Sequence, residues 1–337
     1  MKFFIRLKLR DSLDMEQVSL GGFIFIGMLS LMKLNKLFLK FFAASLVVAG
    51  ATSAQAAVDV ETARGTVTFE APVGTNVAVY DNAALDTLTA LGVTPKGIIT
   101  NILVDYLKDV KQADSVEVGT LFEPDLEALN RLRPEAIIIG GRMAPHYDMI
   151  AKLAPVVDVT NTGVSVDNSQ KLLSELGKLF DKEERAAELQ ENLTKELALT
   201  REVVQDQGSA LMIMVNGTKI ASHGAQSRFG YLFNDFGWDP ADKTDSTARH
   251  GQPVSFEFIR KLDPDWLIVM DRTTAIEGKG ENAKAVLDNA LLKDTKAFKN
   301  DRIIYLDTSS YLASGGYQQM MLELKLLRDA VEAAKAK

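Results

Sequence analysis

The 337-residue sequence contains no cysteine. That excludes disulfides, thiolate metal sites, cysteine nucleophiles and a lipid-modified cysteine anchor. Histidine is nearly as scarce, at three scattered residues. A receptor for a bare divalent metal needs several convergent His, Asp or Glu ligands and fits poorly. There is no basic block of the kind that binds nucleic acid. No G-x-S-x-G or Ser-His-Asp pattern and no nucleotide-binding glycine loop is present, so nothing points to an enzyme.

What is there begins with an export signal. Lys33, Lys36 and Lys40 follow Met32, an apolar stretch runs over 41–51, and Ala54-Gln55-Ala56 is an A-x-A cleavage site. This reads as a cleavable secretory signal with cleavage after Ala56, the alternative being a retained membrane anchor. Residues 1–31 read as an upstream extension; their apolar part, from Leu20, falls short of the roughly 20 residues a membrane span needs. Removing residues 1–56, which carry 7 basic and 3 acidic residues, takes the formal charge from −7 to −11. The expectation is an acidic periplasmic protein with no membrane insertion of the mature chain.

Along the mature chain, short β-branched runs alternate with amphipathic segments. Strands are expected at 67–69, 77–79, 97–100 and 136–139, with another within 151–159, and helices at 82–91 and 125–132. From 182 to 205 no Gly or Pro interrupts a helical pattern with Leu189, Leu193 and Leu197 at spacing four. Some 24 residues at 1.5 Å each give roughly 36 Å, about the width of a domain, which suits a rigid connector. The alternation then restarts: a hairpin at 211–222 turning at Asn216-Gly217, helices at 231–236, 256–262, 283–291 and 317–334, and strands at 266–270 and 303–306. The expected fold is α/β: two similar lobes with mostly parallel sheets joined by one long helix. The boundaries are 57–180, 181–207 and 208–337.

The two lobes share a repeat. Residues 125–142 and 255–272 align without gaps and agree at Glu127/Glu257, Leu132/Leu262, Pro134/Pro264, Ile138/Ile268 and Arg142/Arg272. Each copy reads as an acidic helix start, a helix, Pro, a buried strand and an Arg. Ligands in open parallel sheets bind beyond the carboxyl ends of strands, so Arg142 and Arg272 point at a shared cleft. The two glutamates are expected at the opposite side of each unit. They either complement a helix dipole or dock a two-fold partner.

The motifs VYDNAALDTLTALGV (79–93), FEPDLEAL (122–129), SRFG (227–230), HGQPVSFEF (250–258), DPDWLIVMDR (263–272), LDNALL (287–292) and IIYLDTSSYLASGG (303–316) together resemble a family. It is the class III periplasmic substrate-binding proteins of ABC importers, in particular the ferric catecholate siderophore binders of the FatB and CeuE type. The resemblance spans about 65–335. It implies an anionic ferric catecholate held by Arg142, Arg228 and Arg272, with Asn82 among the ligand-binding residues. It also implies His250 and Tyr311 as direct ligands completing six-coordinate Fe(III), with Glu127 and Glu257 docking an inner-membrane permease and its ATPase. Guanidinium forks suit catecholate oxygens, and phenolate and imidazole are competent iron donors. No permanently bound cofactor and a monomeric protein are implied, with limited hinge motion. Pro253 stands where the family often has Ser, and the small Thr308-Ser309-Ser310 run replaces bulkier residues. On the same fold, haem, a corrinoid or another iron chelate is the alternative ligand.

Overall fold

The computed structural model describes residues 56–336, apart from 162, 245–247, 249–250 and 278–281. The export signal and the 1–31 extension therefore lie, but for Ala56, outside the described residues. No described helix is long and apolar enough to cross a membrane.

Strand β1 (Val58–Thr62) pairs antiparallel with β2 (Gly65–Phe69). The N-terminal lobe is built on a wholly parallel sheet of β3 (Ala78–Val79), β4 (Gly97–Ile98), β5 (Val116–Glu117), β6 (Ile137–Ile139) and β7 (Val156–Asp158). Its strand order is β5-β4-β3-β6-β7. The helices of this lobe used below are α1 (Asn82–Ala90), α2 (Leu126–Leu132) and α3 (Val166–Leu179). Each starts on a side chain that accepts helix N–H groups, from Asp81, Asp125 and Ser165 respectively, as helix-start chemistry requires.

Helix α4 (Glu183–Val204) follows, about 33 Å long at 1.5 Å per residue. The C-terminal lobe holds β8 (Ser209–Asn216), β9 (Lys219–Ser222), β10 (Asp239–Pro240), β11 (Gln252–Pro253), β12 (Trp266–Asp271) and β13 (Ile303–Tyr305). The order is β11-β9-β8-β12-β13, with β10 also on β8. Strands β8, β12, β13 and β10 run parallel, while β9 and β11 are antiparallel. The β8–β9 hairpin turns through Gly217 at φ +59°, a left-handed conformation glycine adopts without strain. Its helices used below are α5 (Phe256–Leu262), the short α6 (Ser309–Leu312) and the terminal α7 (Tyr317–Lys335).

Three expectations needed correction. An additional strand, β1, precedes the expected opening strand: Val58 and Val60 alternate with polar residues in the period of a strand. The helix expected over 283–291 is two helices, Asn282–Leu287 and Ala290–Lys293. Asn289 causes the break, because its side chain accepts from the Leu291 N–H and caps the second piece. The third concerns the glutamates and is taken up with the site.

The chain crosses between lobes twice. The first crossing is α4. The second is the 306–316 segment, which leaves β13 and delivers α7 against α4, α1 and α3. Residues Ala186, Leu189, Leu193, Leu197 and Val204 turn one apolar face of α4 inward. One continuous apolar cluster joins that face to Leu85 and Ile138 of the first lobe, Leu324 and Leu327 of α7, and Met212 and Ile268 of the second lobe. Smaller clusters cover the other face of each sheet. The lobes therefore share a core. Leu193 is fully buried in it, and Leu193→Ala should lower unfolding stability by about 3 kcal/mol, from lost burial plus a cavity. Urea denaturation measures this; an unchanged midpoint would contradict the shared core.

Candidate functional site

A cavity of about 600 Å³ lies between the lobes. Asp81, Gly140 and Arg142 line it from the first sheet, and Arg228, Tyr311 and Ser314 from the second half of the chain. Asp81 follows β3 after Tyr80. Arg142 follows β6 through Gly140-Gly141. These are carboxyl ends of parallel strands, where ligands bind in such sheets. Gly140 is fixed by close approach: a Cβ there would sit 2.0 Å from Asp81 Oδ2. Asp81 caps α1 by accepting from the Ala83 and Ala84 N–H groups. Burial pushes its carboxyl up from the ordinary value, against the opposing pull of those amides and of Arg142.

The three arginines expected in the cleft meet at one residue, although only Arg142 and Arg228 line the interlobe cavity, while Arg272 lines a side cavity of the second lobe. Arg142 Nη2 and Arg228 Nη2 both donate to the Tyr311 carbonyl oxygen, at 3.4 and 3.2 Å. Arg272 Nε donates to the Tyr311 hydroxyl at 2.7 Å, and its Nη1 donates to Asn216 Oδ1 at 3.0 Å. The Arg228 guanidinium carbon also stands 4.5 Å from the Tyr311 ring centroid, within cation–π range. Among the described residues none of the three arginines is in an ion pair. The Nε of Arg228 is buried with no hydrogen-bond partner among the described residues. Burial, with Arg142 nearby, holds its guanidinium below the ordinary value. A cluster of cations without carboxylate partners is a site for an anion.

The other expected residues are placed as follows. Asn82 is buried, and neither amide atom has a partner among the described residues, while its neighbours Asp81 and Ala83 form the cavity wall. His250 lies outside the described residues. Glu127 is exposed in an i,i+4 pair with Arg131, and Glu257 is exposed in the first turn of α5. The glutamates do not lie at the opposite side of their units from the arginines. Glu257 and Arg272 line one and the same side cavity of the second lobe. The reason is geometric: a crossover helix runs antiparallel to the strand it precedes, so the start of α5 and the end of β12 share an edge. Among the described residues no cluster of three or more His, Asp or Glu could hold a metal ion.

Sequence reasoning missed Asp81, although an Asp between a buried strand and a helix is a cap signature at a strand's carboxyl end. It also missed two buried carboxylates behind Tyr311. Glu323 accepts from Ser310 Oγ at 2.5 Å and Gln319 Nε2 at 2.6 Å. Asp86 accepts from the Tyr106 hydroxyl and from the Gln318 and Gln319 N–H groups. Burial pushes each carboxyl up to about 7.

A cationic cleft between two parallel-sheet lobes, bridged by one long helix, defines a solute-binding receptor of the class III periplasmic type. The chain belongs to the periplasmic binding protein family, which it matches over residues 77–309. It is 35% identical over 261 residues to petrobactin-binding protein YclQ of Bacillus subtilis, covering 76% of this chain and 82% of that one. The YclQ crystal structure superposes with a TM-score of 0.76 at 32% identity, covering 82% and 99% of the two chains. The ferric-anguibactin-binding protein FatB of Vibrio anguillarum is 32% identical over 245 residues, covering 70% of this chain and 75% of that one. The periplasmic catecholate-siderophore binding protein VctP of Vibrio cholerae superposes with a TM-score of 0.75 at 28% identity, covering 81% and 99%.

The buried Glu323 carboxyl makes stability depend on pH. A carboxyl raised on folding binds more protons folded than unfolded between about pH 4.3 and its folded value of about 7. Its stabilising contribution is complete below that window and is lost as pH rises through it. Glu323→Gln, which mimics the protonated form, should therefore gain stability relative to the parent between pH 5 and pH 8. Urea midpoints at the two pH values measure this; a difference independent of pH would refute it.

Proposed function

We propose that this protein is the periplasmic binding component of an iron-siderophore ABC importer, capturing an anionic ferric catecholate between its lobes and delivering it to an inner-membrane permease. The observation that carries this reading is the arrangement of Arg142, Arg228 and Arg272 around Tyr311, with no ion pair to a carboxylate among the described residues. Catecholate oxygens bound to Fe(III) keep negative charge, and guanidinium groups donate to such oxygens in charge-assisted hydrogen bonds. Iron is cargo here, not a resident cofactor. A chelator supplying four oxygens leaves two positions open on six-coordinate iron, and Tyr311 and His250 are assigned to them. Reversible capture, not catalysis, is the activity.

Tyr311 is almost fully buried and its hydroxyl is engaged by Arg272. On this reading iron takes the place of Arg272 on the phenol oxygen, and the freed guanidinium donors turn to the chelate. Glu127 and Glu257 are assigned to the permease. Both are exposed, and Glu257 shares an edge with the cleft arginine Arg272. Docking there would let the permease act on the cleft directly.

The test is an absorbance titration with ferric catecholates, ferric hydroxamates and ferric citrate. The chelate's own charge-transfer band suits this better than tryptophan emission. Trp266 is buried at the far end of β12 from Arg272, about 20 Å away at 3.3 Å per residue. A ferric catecholate should bind more tightly than the others, and Tyr311→Phe should shift its band. Arg228→Ala should weaken it by about 10- to 100-fold, the worth of one charged hydrogen bond. Tighter binding of a hydroxamate would overturn the ligand class, and an unmoved band would remove Tyr311 as a ligand. Glu127→Ala combined with Glu257→Ala should leave affinity intact and abolish uptake into cells; loss of affinity would sink the docking assignment.

A further inference from the structure

Helix α7 lacks a cap of its own. Its N-cap residue is Gly316, which has no side chain to offer. The first N–H groups of the helix are satisfied instead by α1, some 230 residues earlier in the chain. Tyr317 N donates to Thr87 Oγ1 at 3.3 Å, Gln318 N to Asp86 Oδ1 at 2.7 Å, and Gln319 N to Asp86 Oδ2 at 3.0 Å. The Gln318 side chain adds a bond to the Asp86 carbonyl at 3.0 Å. Asp86 and Thr87 are both completely buried. Gly316 is itself a consequence of the joint: a Cβ there would lie 2.6 Å from Asp86 Cγ, which explains the second glycine of the SGG motif.

The place of this joint in the fold matters more than its contribution to one helix. The N-terminus of α1, one turn before Asp86, is capped by Asp81, which lines the cleft and lies against Gly140. The segment just before α7 is the second lobe crossing, and it carries Tyr311. Helix α1 is therefore a short strut with the first lobe's cleft wall at its N-terminus and the anchor of the Tyr311 segment one turn further on, at Asp86 and Thr87.

We propose that Asp86 is a positioning residue for ligand capture. By capping α7 across the lobe boundary, it fixes the Tyr311 segment in register with the first lobe. It thereby sets the spacing between Arg142 on one side of the cleft and Arg228 and Arg272 on the other. Its effect on binding rests on the ferric catecholate reading; its effect on the crossing segment does not. Asn in place of Asp keeps the shape but, whichever way its amide turns, sets an NH₂ against at least one of the Gln318 and Gln319 N–H groups that the carboxyl now accepts.

The experiment compares the parent protein with Asp86→Asn and with Thr87→Val, a milder variant that removes only the Tyr317 acceptor. Hydrogen exchange is read on the unliganded proteins. Affinity and the charge-transfer band are read with the iron(III) complex of a synthetic bis-catecholate chelator, well below each melting temperature. Asp86→Asn should speed exchange about tenfold across 309–319 while leaving 189–197 of α4 unchanged. It should weaken binding about tenfold and move the band toward that of Tyr311→Phe. Thr87→Val should do the same to a smaller extent, and decides the matter should Asp86→Asn fail to fold. Exchange rising equally in α4 and α7 would make Asp86 a stabilising residue only and overturn the proposal. Local exchange with parental affinity and band would overturn it as well. A parent protein that binds no bis-catecholate complex would refute the ligand reading instead, and the exchange result would still decide whether Asp86 holds the crossing.

Discussion

Three guanidinium groups brought together repel one another, and every other feature of the cleft depends on how that repulsion is held. No carboxylate among the described residues forms an ion pair with Arg142, Arg228 or Arg272. They share one uncharged partner, offering donors to the Tyr311 carbonyl and hydroxyl and, for Arg228 and Arg272, a cation over its ring. Dipoles and a π face soften the repulsion without cancelling the charge. The field of the cleft stays available to an anion even though the chain as a whole is acidic, because capture depends on the local potential. Interlobe acids at the same place would have cancelled the field and closed the site.

A charge cluster of this kind needs a frame that does not relax. Helix α4, helix α7 and the shared apolar cluster supply it by making the two sheets parts of one packed body. The interior of such a body transmits strain and resists continuous deformation, which limits the lobes to small rigid movements. On the proposed reading, ligand entry proceeds by local exchange of partners, with Arg272 giving up a phenol oxygen for the chelate, more than by large closure.

Much of this was legible in the sequence, for identifiable reasons. Strands β6 and β12 are buried on both faces, so they read as unbroken apolar runs, and the residues that end them, Arg142 and Arg272, fall where parallel sheets bind ligands. The long helix was legible because Leu189, Leu193 and Leu197 keep one period without interruption. Arg228 follows a hairpin strand with no copy in the other lobe, and only family resemblance singled it out. Tyr311 was expected as a ligand, but its carbonyl as the meeting point of two arginines depends on a crossing segment whose path no local pattern encodes. The joint between Asp86 and α7 spans more than 230 residues, and a capping residue that distant leaves no spacing to read. The edge carrying Glu127 and Glu257 was misread by overlooking that helix and strand in each unit run in opposite directions.

The account's central claim is that an anionic iron chelate takes the place Arg272 now holds on Tyr311. A crystal structure of the protein with the iron(III) complex of a bis-catecholate chelator tests it most directly. The account predicts iron within bonding distance of the Tyr311 phenol oxygen, Arg272 Nε no longer donating to that oxygen, and guanidinium groups of both lobes on the catecholate oxygens. A chelate seated elsewhere, or one in the cleft with the Arg272–Tyr311 hydrogen bond intact, would contradict it.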